Sequence, residues 1–413
     1  MSANLGERPW MRAAAPVLDA LEAEGGPDCA RFVGGCVRNA VMGRPITDVD
    51  IATRLTPERT IAALSAAGLG AHSTGVEHGT VTAVLSGTPY EVTTLRRDVE
   101  TDGRRAVVAF TQDWAEDAAR RDFRLNALYA DRSGAVFDPT GEGLADAKAG
   151  RIVFVGEAET RIREDYLRIL RFFRLHAVYG RGAPDAEGLR ACATLTEGLG
   201  RLSAERVSAE LLKLLAADDP RDAVRLMAAS GVLGAVLPTA GLARFERLVA
   251  IETEQLFESD PELRLAALLP SDPAEVAGAA ERLRLSNALR DRLLAALPGA
   301  VRIVSWLGPR EVRRAVYRLG AQPFRDQVKL AWAADPRAVT TPQWRGLLML
   351  GATWTPPALP VTGDQVLGAG VPKGPLVGQV LREVEDWWVD LDFIDDPLSA
   401  MERLKAVAQG LAY

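Results

Sequence analysis

Two aspartates, Asp48 and Asp50, stand two residues apart in the apolar, β-branched stretch GRPITDVDIAT at residues 43–53. Residues i and i+2 of a β-strand face the same side, so a strand here would project both carboxylates together. Like charges at that spacing repel each other unless a cation lies between them. Most isolated aspartate pairs are explained by a polar strand edge or a helix cap. A functional interpretation of this pair therefore depends on neighbouring motifs in the sequence.

A glycine pair precedes the aspartates in FVGGCVRNAVMG, residues 32–43. The pattern predicts a strand that turns at Gly34 and Gly35 into a helix carrying Arg38. Glycines at such a turn let backbone N–H groups approach an anion, and the helix N-terminus adds partial positive charge. A tight turn with a solvated arginine is the alternative. Beside a carboxylate pair, the turn indicates a site where two Mg²⁺ ions support phosphoryl or nucleotidyl transfer from a triphosphate.

A third carboxylate, Glu91, lies in PYEVTTLRRD, residues 89–98. The preceding SGTP turn and the β-branched neighbours predict that it sits on a hairpin strand. Glu91 is therefore a candidate for a further oxygen ligand, and an exposed hairpin charge is the alternative.

The stretch REDYLRILRFFRLHA, residues 163–177, is predicted to form an amphipathic helix whose polar half carries Asp165, Arg168, Arg171 and Arg174. Cytosine and adenine each present an amine donor beside a ring-nitrogen acceptor, and guanine and uracil present the reverse. Asp165 and Arg168 together would accept C and A and reject G and U. Arg171 and Arg174 would face phosphates or pack against a base. The alternative is a solvated face with an Asp165–Arg168 ion pair, worth about 0.2 to 0.5 kcal/mol.

Another arginine, Arg121, stands in AARRDFRLNALYAD, residues 118–131. An arginine pair followed by an apolar stretch predicts a phosphate-facing side chain at the junction between the strand-rich and helical parts. An ordinary helix with surface arginines is the alternative.

The elements that position these residues fall into two parts. Clear strand signals end near residue 155, and the rest of the chain is rich in Ala, Leu, Arg and Glu with helical periodicity. A small mixed α/β head followed by a long helical remainder is therefore predicted.

Composition limits the classes of protein. The 413 residues are 48% hydrophobic and 25% charged, which is typical of a globular protein with two to four domains. Three cysteines and three histidines are scattered, so any metal is expected to be hard and bound by oxygen. A net charge of −6 does not exclude nucleic acid, because local arginine clusters bind phosphate. No apolar run approaches the roughly 18 to 20 residues of a membrane span, and a cytoplasmic protein with no membrane partner is predicted.

Seven ordered motifs resemble those of the bacterial tRNA nucleotidyltransferase (CCA-adding) and poly(A) polymerase family, class II of the polymerase-β-like nucleotidyltransferases. They are VGGCVRN, GRPITDVDIAT, TGVEHGTVT, EVTTLRRD, RRDFRLNAL, EDYLRILRFFR and LSAERVSAELLKLL. The resemblance implies an α+β fold with a nucleotidyltransferase head at 1–150, a base-recognising helical neck at 151–235, a helical body at 236–354 and a tRNA-binding helical tail at 355–413. It implies template-independent addition of CCA to tRNA 3′ ends from CTP and ATP, with Mg²⁺ as cofactor.

The same resemblance assigns roles to residues. Asp48 and Asp50 match the metal-binding catalytic aspartates, and Glu91 lies in the matching catalytic hairpin. The positions that match nucleotide-binding residues are Gly35, Arg38, Arg121, Asp165, Arg168, Arg171 and Arg174. One departure is Asn39, where many members have aspartate, so any salt bridge made by that residue is lost.

Other activities remain open at this stage. A poly(A) polymerase is disfavoured because GLGAHSTGVEHGTVT, residues 68–82, replaces a basic stretch, and because residues 376–413 are mixed in charge. An enzyme that adds only CC or only A shares the same motifs. A non-catalytic RNA-binding protein would have no need of the Asp48 and Asp50 pair. The oligomeric state is not predicted.

Overall fold

The computed structural model describes residues 3–6, 8–75, 79–102, 105–299, 301–394 and 396–410. It divides into two compact units: residues 1–239 with 259–261 and 282–284, and residues 240–258, 262–281 and 285–413. Residues 76–78 of the TGVEHGTVT motif lie outside the described residues.

The first unit contains a mixed seven-stranded sheet and a separate two-stranded hairpin. The strand order in the sheet is β3-β4-β5-β2-β1-β8-β9, with β2 and β5 parallel and the other neighbours antiparallel. The strands are β1 (Ala30–Val33), β2 (Asp50–Thr53), β3 (Gly70–Gly75), β4 (Thr80–Leu85), β5 (Thr88–Thr94), β6 (Arg96–Asp102), β7 (Arg105–Phe110), β8 (Tyr129–Ala130) and β9 (Val136–Phe137).

Helices surround this sheet and continue beyond it. They are α1 (Pro9–Gly25), α2 (Gly35–Met42), α3 (Pro57–Ala66), α4 (Trp114–Ala119), α5 (Gly143–Ala149), α6 (Ala158–Glu164), α7 (Leu167–Tyr179), α8 (Ala186–Thr194), α9 (Ala204–Leu215), α10 (Arg221–Ala229) and α11 (Val232–Val236). Helices α1 and α3 pack on each other and on the sheet, while α9 and α10 pack on α7. Central strands β1 and β2 bury their apolar residues, so the start of β2, where Asp50 lies, rests on a packed core.

The stretch 163–177 is not one helix. Helix α6 ends at Glu164, and Asp165 has extended dihedral angles (φ −153°, ψ 107°) before α7 begins at Leu167. The apolar arc predicted for this segment is confirmed within α7, where Ile169, Leu170 and Phe173 are buried. The break matters because it takes Asp165 off the helical surface.

The second unit is helical over its described residues. The later helices are α12 (Ala243–Glu254), α13 (Pro261–Leu268), α14 (Pro273–Arg282), α15 (Asn287–Ala295), α16 (Pro309–Leu319), α17 (Ala321–Ala334), α18 (Thr341–Thr353), α19 (Gly363–Gly368), α20 (Pro375–Asp390) and α21 (Pro397–Gly410). Helices α19 to α21 share a core that includes Val366, Val380 and Leu404. An aromatic cluster of Tyr317, Trp388 and Phe393 packs α16 against the end of α20.

The predicted α+β class, a mixed sheet followed by helices, is confirmed. In the described part of the chain, no helix is both long and apolar enough to cross a membrane.

Candidate active site

Three carboxylates meet where β2 begins. Asp50 is the first residue of β2 and pairs in register with Glu91 on β5. Asp48 lies two residues before the strand, where its Oδ2 accepts a hydrogen bond from Thr47 at 3.0 Å. Burial raises the pKa of Asp50, the charges of Glu91 and Asp48 raise it further, and Arg121 opposes the shift. The predicted strand position is therefore wrong for Asp48, but the expected neighbourhood of the three carboxylates is confirmed.

The glycine turn stands next to these carboxylates. Gly34 has a φ of +71°, which disfavours any residue with a Cβ, and it precedes the first residue of α2, Gly35. A Cβ added at Gly34 would lie 3.6 Å from Nη1 of Arg121. The predicted strand–turn–helix is confirmed, and it brings the N-terminus of α2 and a guanidinium together.

Arg121 forms an ion pair with a buried acid, Asp117. Asp117 accepts hydrogen bonds from Arg121 Nη2 at 3.0 Å, from Arg120 Nε at 2.9 Å and from the Tyr129 hydroxyl at 2.7 Å. Burial opposes the ionisation of Asp117, but Arg121 and Arg120 outweigh it and lower the pKa of Asp117 to about 2. The side chain of Asp117 is 1% exposed, so this carboxylate can reach only its protein partners.

Arg38 is buried, and its side-chain hydrogen-bond partners are neutral groups. Its guanidinium donates to Asn126 Oδ1 at 2.6 Å, to Asn39 Oδ1 and to the Tyr179 hydroxyl, whose ring it also covers. Burial lowers the pKa of Arg38, and the nearby charge of Arg174 adds to that shift. No acid in the described part of the chain forms an ion pair with Arg38. The departure at position 39 thus keeps a hydrogen bond and removes a charge.

Asp122 connects Arg38 to the helix α7. Arg171 Nη2 lies 2.7 Å from Asp122 Oδ2, and Asn126 donates to Asp122 Oδ1 at 3.2 Å. Burial disfavours the ionised form of Asp122, but Arg171 and the hydrogen bond from Asn126 outweigh it, so the pKa is lowered. Sequence reasoning gave no role to Asp122, although the RRD triplet that contains it was visible.

Asp165 and Arg168 do not pair with each other. Asp165 Oδ2 accepts from Arg206 Nη2 at 2.7 Å, and its Oδ1 accepts from the backbone N–H of Leu167 at 3.1 Å. Arg168 Nη1 instead donates to Glu164 at 2.6 Å and to the Arg161 carbonyl. The ion-pair alternative weighed in the sequence is therefore wrong, because the helix break turns Asp165 towards α9.

A cleft of about 340 Å³ gathers part of the predicted set. Its lining residues are Arg96, Arg120, Arg121, Asp122, Asp165, Arg168 and Arg171. Of the residues predicted to bind nucleotide, Gly35, Arg38 and Arg174 are absent from this lining. Arg174 forms an ion pair with Glu210 on α9 at 2.6 Å. The sequence analysis assigned no role to Arg96 or Arg120. Each stands close to a residue that had already been assigned one, Glu91 and Arg121 respectively.

The carboxylates fit a hard cation. Crowded acids such as those around Asp50 are stabilised by a positive ion. Within the described residues, no group of three or more His, Cys, Asp or Glu side chains could hold a metal ion. Mg²⁺ usually takes one or two carboxylates and completes its shell with water and substrate phosphates. Asp48 and Asp50 suit such a shared ion, and metal ligation by Glu91 stays a prediction.

A carboxylate edge, an anion-binding turn and an arginine cleft on a small mixed sheet define a nucleotidyltransferase of the polymerase type. Two family models match this chain: the Poly A polymerase head domain at residues 30–153, and the "Probable RNA and SrmB- binding site of polymerase A" at residues 184–241.

Similar proteins show which family of nucleotidyltransferases this chain resembles. The mouse mitochondrial CCA tRNA nucleotidyltransferase 1 is 34% identical over 87% of this chain and 82% of its own length. The CCA-adding enzyme of Latilactobacillus sakei is 30% identical over 91% of this chain and 93% of its own. The structure of the Bacillus stearothermophilus CCA-adding enzyme in complex with CTP superposes with a TM-score of 0.76 at 27% identity, covering 98% of this chain and 100% of that one. The chain belongs to the family of CCA-adding tRNA nucleotidyltransferases.

Proposed function

We propose that this protein adds C, C and A to tRNA 3′ ends from CTP and ATP, without a nucleic-acid template, and releases pyrophosphate. The observation that carries the proposal is the arrangement of Asp48, Asp50 and Glu91 beside a cleft that also contains Asp165 and Arg168. Relatives named as CCA-adding enzymes over most of this chain's length support the same activity.

The reaction needs a bound triphosphate and an attacking hydroxyl in line. Asp48 and Asp50 would hold the metal, for which we propose Mg²⁺; when bound, it polarises the tRNA 3′-hydroxyl and the phosphates. Backbone N–H groups at the Gly34–Gly35 turn and the guanidinium of Arg121 would bind the triphosphate. The 3′-hydroxyl then attacks the α-phosphorus, and pyrophosphate leaves towards these positive groups.

Base selection would fall to Asp165 and Arg168. A carboxylate accepts from the exocyclic amine of C or A, and a guanidinium donates to the adjacent ring nitrogen. Both residues line the cleft, so both can meet one base. Because C and A satisfy this pair equally, the switch from C to A requires pocket size and the growing 3′ end. Gly35, Arg38, Arg171 and Arg174 stay proposed nucleotide-binding residues, the last three through the network around α7.

The division into head (1–150), neck (151–235), body (236–354) and tail (355–413) is likewise proposed, with the body and tail holding the tRNA. A cytoplasmic location rests on the sequence alone, and the mouse relative is named as mitochondrial.

The test is to incubate the protein and Mg²⁺ with tRNA ending before CCA, ending in C and ending in CC, with CTP and ATP offered separately and together. Sequenced products should carry one CCA on the shortest tRNA. Long adenosine tails would point to a poly(A) polymerase, and arrest at CC would point to a partial enzyme.

A matched variant tests the carboxylates. Asp48→Ala should abolish addition and leave the Kd for tRNA nearly unchanged, since Asp48 is exposed and accepts a hydrogen bond from its neighbour Thr47. Thr47→Ala removes that hydrogen bond without removing the charge and serves as the control. Retained addition with loss of tRNA binding would contradict the metal assignment.

A further inference from the structure

Asp165 is constrained at both carboxylate oxygens. It occupies the break between α6 and α7, where its Oδ1 accepts from the N–H of Leu167 at 3.1 Å. Its Oδ2 accepts from Nη2 of Arg206, on α9, at 2.7 Å. The outer torsion of an aspartate is broad, so a backbone cap alone leaves the second oxygen poorly fixed. The charge-assisted bond from Arg206 removes that freedom.

Arg206 acts from outside the cleft. Of the described residues, the cleft lining includes Asp165 but not Arg206. Arg168, the other proposed base-reading residue, is held by a different acid, Glu164, at 2.6 Å. Each member of the pair therefore has its own partner, and neither is neutralised by the other.

The same face of α9 makes a second contact of this kind. Glu210, one helical turn after Arg206, forms an ion pair with Arg174 of α7 at 2.6 Å. Residues four apart lie on one side of a helix, so α9 presents a cation and an anion to two proposed nucleotide-binding residues. This pattern indicates that α9 supports the site and does not merely cover the core.

We propose that Arg206 is a positioning residue for base selection: it fixes the Asp165 carboxylate so that an oxygen is ready to accept the amine of cytosine or adenine. The inference rests on the base-reading role proposed for Asp165. A carboxylate that turns freely still accepts a hydrogen bond, but it no longer penalises the carbonyl of uracil or guanine at a fixed position. Loss of Arg206 should therefore reduce selectivity more than it reduces catalysis.

The experiment measures kcat/KM for CTP and for UTP on tRNA ending before CCA, with Arg206→Ala, Arg206→Lys, Asp165→Ala and the Arg206/Asp165 double alanine variant. Arg206→Ala should lower the CTP/UTP ratio roughly tenfold or more, since misplacement of a recognition group by about 1 Å has effects of that size. Arg206→Lys should recover part of the ratio, and the double variant should be no less selective than Asp165→Ala.

Arg284→Ala is the matched control. Arg284 forms an exposed ion pair with Glu205, the neighbour of Arg206 on α9, at 2.8 Å, so its loss perturbs the same helix end without reaching Asp165. The control should leave the CTP/UTP ratio unchanged.

Three results would overturn the inference, and one of them would also overturn the base-reading role proposed for Asp165. If Asp165→Ala changes the ratio and Arg206→Ala does not, Asp165 reads the base unaided. If Arg206→Ala lowers kcat/KM for CTP and UTP equally, its role is only structural. If Asp165→Ala itself leaves the ratio unchanged, the proposed base-reading role fails together with the inference.

Discussion

Arginines serve two purposes in this molecule, and their partners distinguish them. On α16 in the second unit, Arg313, Arg314 and Arg318 each form an ion pair with an acid in the last turns of α20 or just beyond it. In the cleft of the first unit, the five lining arginines outnumber the acids that pair with them, because Arg120 and Arg121 share Asp117. The α16 set neutralises itself within the protein. The cleft set has an excess of positive charge, which predicts an anionic ligand supplied from outside.

The carboxylates show the same contrast. Asp392, the partner of Arg313, has a pKa lowered by the hydrogen bond from that arginine, so its charge stabilises the fold. Asp50 has a pKa raised by burial and by Glu91, so its charge opposes the fold. Residues that cost stability where they stand are typical of functional sites, because function maintains them. The difference supports the proposal that the edge of β2 is the reactive part of the molecule.

The largest expected effect comes from removing the charge of Asp50. Asp50→Asn should lower the rate of nucleotide addition by at least about a thousandfold, equivalent to about 4 kcal/mol, because one of the proposed metal ligands is lost. The folded state raises the pKa of Asp50, so its ionised form is disfavoured by folding at neutral pH. The variant should therefore unfold at higher urea concentration, with a gain of about 0.5 to 2 kcal/mol at pH 7.

Both readouts are needed for Asp50. Single-turnover addition of CMP gives the rate, and urea unfolding gives the stability. A variant that lost activity and stability together would contradict the contrast, since Asp50 would then be a supporting residue like Asp392.

How much of the fold and of the candidate site the sequence predicts depends on how far apart in the chain the interacting residues lie. Local signals were sufficient for the Gly34 turn and for the hairpin strand that carries Glu91, because turn residues and alternating strands are encoded over a few positions. The helix break at Asp165 was missed because periodicity continues across it. Its partner Arg206 is 41 residues away along the chain, and only tertiary packing brings the two together.

The resemblance to a known family has the same limit: it does not specify which side chains contact each other. The motifs singled out Arg121, Arg168 and Arg171, which line one cleft, but they did not show that Arg174 is engaged by Glu210 or that Asp117 holds Arg120 and Arg121. A pattern of residue types does not specify which acid pairs with which base when several lie within reach. That choice depends on the packing of α4, α7 and α9.

The second largest effect concerns the acid that supports the cleft. The pKa of Asp117 falls from 3.8 to about 2 on folding, so its stabilising contribution is present above pH 3.8 and is lost as the pH falls towards 2. Asp117→Asn should therefore cost about 2 kcal/mol at pH 7, and its difference from the unaltered protein should narrow between pH 4 and pH 2. Urea unfolding across that range measures both quantities.

Asp390→Asn is the matched control, because Asp390 pairs with Arg314 but its side chain is 67% exposed. Its difference from the unaltered protein should be small at every pH. A constant difference for Asp117→Asn down to pH 2 would mean that packing, and not charge, makes this residue important.

The smallest effect is expected from the exposed member of the α16 set. Arg314 lies 2.6 Å from Asp390 with 47% of its side chain exposed, so water and salt screen the pair. Arg314→Ala should change the free energy of unfolding by no more than about 0.5 kcal/mol and should leave the KM for CTP unchanged. Urea unfolding at low and high salt, with CTP kinetics alongside, measures this. A severalfold rise in KM would show that a neutralised arginine also serves the nucleotide, and the excess of arginines over acids would then no longer separate ligand-binding from structural arginines.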